Sequence, residues 1–170
     1  MKNTVLRYGI WSALGICILF LISSLALKSL DFKTQEIYGY ASIIISLSFV
    51  YFGIKHFRDK ENQGLLSFGK GVIIGLLITL FASVTFGLYN VIYVEYIDPE
   101  FMTKYYDYSV EQISKTLSGE ELQAKLKKME EEKELFAKPF MNFSLMFLTV
   151  FMIGLIISLI SSLVLSKKNS

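Results

Sequence analysis

The sequence holds one cysteine, Cys17, one histidine, His56, and two prolines in 170 residues. A single cysteine excludes an internal disulfide and a multi-cysteine metal site, and a single histidine excludes a paired-imidazole metal site. A basic domain, zinc-ligand spacing and an aromatic RNA-binding motif are all missing, so no nucleic-acid partner is expected. Charge is absent from four long stretches, which contain no Asp, Glu, Lys, Arg or His. Ionisable groups at membrane depth mark ion paths and proton relays. Their absence argues against a proton-coupled transporter and leaves open a passive path for a neutral solute.

What is present is apolar. Hydrophobic residues make up 53% of the chain, and the mean hydropathy is +0.49. The uncharged stretches lie at about residues 8–27, 38–54, 71–94 and 140–165. At about 1.5 Å per helical residue each is long enough to cross a bilayer core. The expected fold is therefore all-α: an integral membrane four-helix bundle forming a single membrane domain over residues 1–170. A helical extracytoplasmic loop, about residues 95–139, is expected between helices 3 and 4.

Lys2 and Arg7 precede the first stretch, which raises the rival reading of a cleaved signal peptide. Its apolar block exceeds the usual length of such a region, and no Ala-x-Ala motif follows; a retained helix is expected. Residues 28–37 read as a short polar connection. Tyr38, Tyr40, Tyr51 and Phe52 flank the second stretch, where interfacial aromatics belong. A charged connection follows and closes at Asn62, Gln63 and Gly64. Leu65 and Leu66 are then expected on the membrane surface, with Ser67 capping the third helix.

In the third stretch Gly71, Gly75, Thr79, Ser83 and Gly87 recur every fourth position. On a helix that spacing makes one slowly drifting ridge, over which another backbone can approach closely. The fourth stretch repeats the pattern with Gly154, Ser158 and Ser162; the ridge is expected to pack against another helix, with this face of the fourth as the candidate. These eight residues are the expected helix-packing positions. Other polar residues in the spans, Ser42, Ser46, Asn90 and Asn142 among them, are expected to donate hydrogen bonds between helices.

In the loop, Asp98, Pro99 and Glu100 read as a helix start with Asp98 as N-cap. Met102, Tyr106, Val110, Ile113 and Leu117 follow at helical intervals, giving an amphipathic segment. Residues 118–121 (SGEE) form a capping-box pattern that opens a second helix, with Leu122, Leu126, Met129 and Phe136 on one face. This loop carries seven lysines against eleven acidic residues. The first connection balances Lys28 and Lys33 against Asp31 and Glu36. Lys2, Arg7, Lys55, Arg58, Lys60, Lys70, Lys167 and Lys168 fall on the other side, against Asp59 and Glu61. The positive-inside rule then places both termini and the second connection in the cytoplasm.

Residues 68–71 (FGKG) open a helix where free backbone N–H groups suit a phosphate. The remainder of a P-loop pattern is missing. Lys55, Arg58, Lys60 and Lys70 are candidate lipid-headgroup contacts, with a plain role as topology determinants as the competing reading. Cys17 lies mid-span with no activating base nearby in sequence. No catalytic residue, cofactor or metal ligand is expected. The sequence points to a non-enzymatic scaffold or accessory subunit; the alternative is a small oligomeric transporter or channel for an uncharged solute. Membrane lipids are the expected partners, and a protein partner held through residues 99–136 and a homo-oligomer are both compatible with the pattern.

Residues 53–60 (GIKHFRDK), 66–71 (LSFGKG), Gly75, Tyr89 and Asn90, residues 97–101 (IDPEF), residues 154–160 (GLIISLI) and the basic tail occur in an order and spacing that resembles domain-of-unknown-function family 4199. That family comprises short four-helix membrane proteins of Bacteroidota. The resemblance spans essentially the whole chain, implies a bacterial inner-membrane location, and transfers no catalytic residue.

Overall fold

A computed structural model describes residues 1–27 and 30–167, so the expectations placed on Lys28 and Lys168 lie outside the described residues. The described chain is all-helical, with six α-helices: α1 (Lys2–Ala26), α2 (Phe32–His56), α3 (Phe68–Ile92), α4 (Phe101–Ser114), α5 (Gly119–Phe136) and α6 (Pro139–Leu165). Two π-helical turns, Phe57–Glu61 and Tyr93–Ile97, prolong α2 and α3. Four helical stretches are long and apolar enough to cross a membrane: Lys2–Ala26, Phe32–Glu61, Phe68–Ile97 and Pro139–Leu165. Each runs past the uncharged stretch that marks it in the sequence.

The second helix shows why. Asp31, read in the sequence as part of a polar connection, caps α2. Its carboxylate accepts from the Thr34 backbone N–H at 3.0 Å and from the Thr34 hydroxyl at 2.7 Å. The cap satisfies an orphan N–H and lets the helix begin at Phe32. At the far end of α3, Asp98 does not cap α4 as expected. Its carbonyl closes a turn on the Phe101 N–H at 3.0 Å, and its carboxylate accepts from Lys104 Nζ at 3.3 Å. The helix begins at Phe101 with Glu100 in the capping position. Ser118 does stand at the N-cap of α5, but its hydroxyl makes no capping bond. Gly119 beside it has φ +63°, a backbone state that glycine adopts without strain.

The chain divides into two compact units, residues 1–86 with 146–170, and residues 87–145. In the first, the core is Val5, Ile16, Ile43, Leu47, Val50, Ile54, Phe57, Leu66, Ile74, Ile78, Ala82, Phe86, Val150 and Leu165. Helix α1 buries Thr4, Val5, Gly9, Ser12 and Ile16, one stripe at helical spacing, and leaves Leu6, Ile10, Leu14, Ile18 and Leu21 exposed. The apolar face points outward and the small, hydroxylated face inward, the arrangement suited to a lipid solvent. Gly9 makes room for the Phe81 ring, and Gly53 for Ile78 and Tyr8, so α1, α2 and α3 approach closely.

Leu66 contradicts its expected surface position. It is 0% exposed and forms an antiparallel bridge with Lys167, through N–H to O distances of 3.0 and 2.9 Å. Gln63 (φ 52°) and Gly64 (φ 80°) turn the chain into that bridge, and Asn62 Nδ2 donates to the Leu65 carbonyl at 2.6 Å. Ser67 follows directly before α3, its carbonyl accepting from Gly71 N–H at 3.1 Å.

In the second unit, α4 and α5 form a hairpin. Tyr106 donates its hydroxyl hydrogen to Glu130, and Lys133 Nζ sits 4.3 Å above the Tyr106 ring. The apolar positions of both helices, such as Val110, Ile113, Leu122 and Leu126, are half-buried, whereas the Lys and Glu positions are mostly exposed. Aromatic rings run in sequence from the end of α3 into α4: Tyr89 to Tyr93 at 6.1 Å, Tyr93 to Phe101 at 5.5 Å, Phe101 to Tyr105 at 6.2 Å.

Candidate functional site

Two places gather the residues singled out in the sequence. The first is the small-residue seam of α3 and α6. Within the first unit, a methyl group on Gly71 would stand 2.7 Å from Ser162 Oγ, and one on Gly75 would stand 2.5 Å from Ser158 Oγ. A methyl group on Gly154 would overlap the Thr79 side chain. Thr79, Ser83, Ser158 and Ser162 are all fully buried. Glycine here is needed for close approach, because any Cβ would occupy space that the facing side chain already fills. In the second unit, Gly87 faces Phe143 likewise, its ring 2.7 Å from a Cβ on the glycine.

The hydroxyls along the seam do not donate across helices as expected. Ser83 donates to the Thr79 carbonyl at 3.0 Å and Ser158 to the Gly154 carbonyl at 2.7 Å, each one turn back in its own helix. A serine can pair with its i−4 carbonyl at little cost, so burial is tolerated without a partner helix. An interhelical bond of this kind occurs between α1 and α2, where Ser12 donates to the Ser46 carbonyl at 2.8 Å. Ser46 Oγ, Thr79 Oγ1 and Ser162 Oγ are buried with no partner in the first unit, as are Asn90 Oδ1 and Asn142 Oδ1 in the second.

The second place is the basic end of α2 and its π turn. The four candidate headgroup residues separate into two kinds. Arg58 is committed: its Nε donates to Asp59 at 2.6 Å and its Nη1 to the Leu165 carbonyl at 3.5 Å. Lys70 lies 5.0 Å above the Phe57 ring. Lys55 and Lys60 are exposed and line an open recess of about 200 Å³ with Tyr8, Phe52, His56 and Asp59. Glu61, just beyond, accepts from the Met1 ammonium and the Thr4 hydroxyl and ties α1 to this turn. The tie joins Glu61 to residues far away in the chain, and no local sequence signal announces it.

Three groups outside the spans are shifted by their neighbours. The Thr34 hydroxyl and backbone N–H hold the Asp31 carboxyl below the usual carboxylate range. Glu100, and then Asp98, raise the Lys104 ammonium. The hydrogen bond to Glu130 raises the Tyr106 phenol. Cys17 is half-buried. Among the described residues no group of three or more His, Cys, Asp and Glu side chains is placed to hold a metal ion.

Four helices long and apolar enough to cross a membrane, with large aliphatic side chains such as Ile18, Ile44, Ile73 and Ile156 exposed on them, mark an α-helical integral membrane protein. The family model described as "Protein of unknown function (DUF4199)" matches residues 7–167, nearly the whole chain, and the protein belongs to that family. No curated protein and no solved structure gives a match.

Proposed function

We propose that this protein is a non-enzymatic scaffold or accessory subunit of the bacterial inner membrane, a four-helix bundle whose α4–α5 hairpin recruits a protein partner outside the cytoplasm. The observation that carries the reading is the hairpin itself. It is a charge-rich pair of helices within the second compact unit, held together by the Tyr106–Glu130 bond and the Lys133–Tyr106 contact. A connection that served only to join two spans would need no such internal ties. The orientation is supported by the placement of Lys and Arg. The Met1–Glu61 and Leu66–Lys167 contacts support the part of this reading that puts both termini and the α2–α3 connection on a shared side, since they bring Met1, that connection and Lys167 together.

Affinity purification in mild, lipid-preserving conditions tests this, with the intact protein and with residues 99–136 replaced by a flexible linker. A specific partner recovered with the intact protein and lost with the linker variant is expected. Intact protein recovered alone as a defined oligomer would favour the second reading, a small transporter or channel for an uncharged solute. That reading has its own support in the unpartnered buried hydroxyls of Ser46, Thr79 and Ser162. Solute flux in liposomes that changes on replacing Thr79 or Asn90 would be its mark.

A further inference from the structure

Phe52, Lys55 and His56 fall at i, i+3 and i+4 on one face of α2, and Asp59 and Lys60 of the π turn line the same recess. Tyr8 of α1 supplies the facing wall, its ring 5.6 Å from that of His56, and the Arg7 guanidinium lies 5.8 Å from the same Tyr8 ring. The recess is therefore aromatic on its apolar side and cationic at its mouth. Its one carboxylate, Asp59, is taken up by Arg58. Lys55 and Lys60 line the recess and form no ion pair among the described residues, although both lie near enough to Asp59 to favour its charged form.

We propose that this recess binds the phosphate headgroup of an anionic membrane phospholipid. The recess is too small and open for a drug-sized ligand, and its chemistry asks for a phosphate ester. Two lysines act as point charges on the phosphate oxygens, and the imidazole adds an N–H donor. The two helices that frame the recess expose apolar side chains that suit acyl chains: Ile10, Trp11 and Leu14 on α1 and Ile44, Ile45 and Phe52 on α2. A free phosphate would use the lysines and leave the aromatic wall idle; a lipid uses both. The inference does not depend on the partner-recruiting role of the hairpin.

Native mass spectrometry of the detergent-purified protein tests it, by titration with phosphatidylglycerol or with phosphatidylcholine of the same chains. Preferential retention of phosphatidylglycerol is expected. In the Lys55→Gln/Lys60→Gln variant that retention should fall roughly twenty-five-fold, since each basic group near an anionic surface contributes about a five-fold factor. Lys55→Arg/Lys60→Arg should retain it. A matched charge removal on α5, Lys125→Gln/Lys127→Gln, should leave it unchanged. Equal retention of the two lipids, or equal loss in the α2 and α5 variants, would overturn the proposal. Displacement by millimolar inorganic phosphate would overturn it as well, by identifying a free anion as the ligand.

Discussion

Thr79 of α3 lies directly against Gly154 of α6, so closely that the glycine has no room for even a methyl group. Both are fully buried, and one turn away on α3 the pattern repeats with Gly75 against Ser158. Lipid tails are as apolar as leucine, so helices in a membrane associate through this kind of close packing and not through a hydrophobic driving force.

The Gly75→Leu and Gly154→Leu variants should each lose about 1–3 kcal/mol of stability, the usual cost of overpacking a filled interior. Gly69, at the start of α3, has nothing within 4 Å of its Cβ position, and Gly69→Leu should be close to neutral. The midpoint temperature for loss of monodisperse protein in detergent separates these outcomes. Unchanged stability in Gly75→Leu would show that the seam does not hold the helices.

Leu66 is fully buried beside the bridge to Lys167. Leu66→Ala should cost about 2–5 kcal/mol, as for other large-to-small changes in a packed interior. Lys167→Pro should also destabilise, because it removes the N–H that donates to the Leu66 carbonyl at 2.9 Å. Thermal unfolding in detergent checks both; a neutral Leu66→Ala would return that residue to the membrane surface.

These two sites differ in how far the sequence revealed them. The ridge on α3 could be read directly, because residues four apart on a helix must lie on the same face. Its pairing with the Gly154, Ser158 and Ser162 face of α6 rests in the sequence only on the matching spacing of the two stretches; the register, Gly71 against Ser162 and Gly75 against Ser158, comes from the structure. Leu66 departs from its expected surface position because its burial accompanies a bridge to a residue near the other end of the sequence, which no local pattern announces. Asp31 was missed although its signal is local. An Asp followed three residues later by Thr, ahead of an apolar run, is a helix start, and reading residues 28–37 as a connection obscured it. At Asp98 the Asp-Pro signal stands two residues early: the helix begins at Phe101 with Glu100 in the capping position, after a turn that the Asp98 carbonyl closes on the Phe101 N–H. The recess on α2 was half legible. Lys55 and Lys60 were singled out with Arg58 and Lys70, but only the geometry separates the free pair from the engaged one.

The Asp31 cap should be sensitive to acid. Its carboxyl is held below its ordinary value by Thr34, so the cap's contribution is present above the ordinary carboxylate pKa and is lost as pH falls through the lower, folded value. Hydrogen exchange at Thr34, corrected for the intrinsic rate, should lose protection on acidification in the native protein. Asp31→Asn should keep a cap at neutral pH and remove the acid dependence; an unchanged acid dependence in that variant would assign the effect elsewhere.

Tyr106 should respond in the opposite direction. Its phenol is raised by the bond to Glu130, so that bond supports the hairpin below the ordinary tyrosine pKa and is lost as pH rises through the higher, folded value. The absorbance titration of the native protein minus that of Tyr106→Phe should reveal one phenol ionising above its ordinary range. Glu130→Gln should bring it back down. A difference titration at the ordinary value would show that the two helices do not meet through this bond.

The most direct test of the whole account is the side of the membrane on which each connection lies. In a Cys17→Ser background, a single cysteine is introduced at Ser118, between α4 and α5, or at Asn62, between α2 and α3. Intact spheroplasts are then treated with a membrane-impermeant thiol reagent. The account predicts labelling of Ser118→Cys in intact spheroplasts and of Asn62→Cys only after lysis. Labelling of Asn62→Cys from outside, with Ser118→Cys protected until lysis, would contradict it: the hairpin would then face the cytoplasm and have no partner to recruit beyond the membrane.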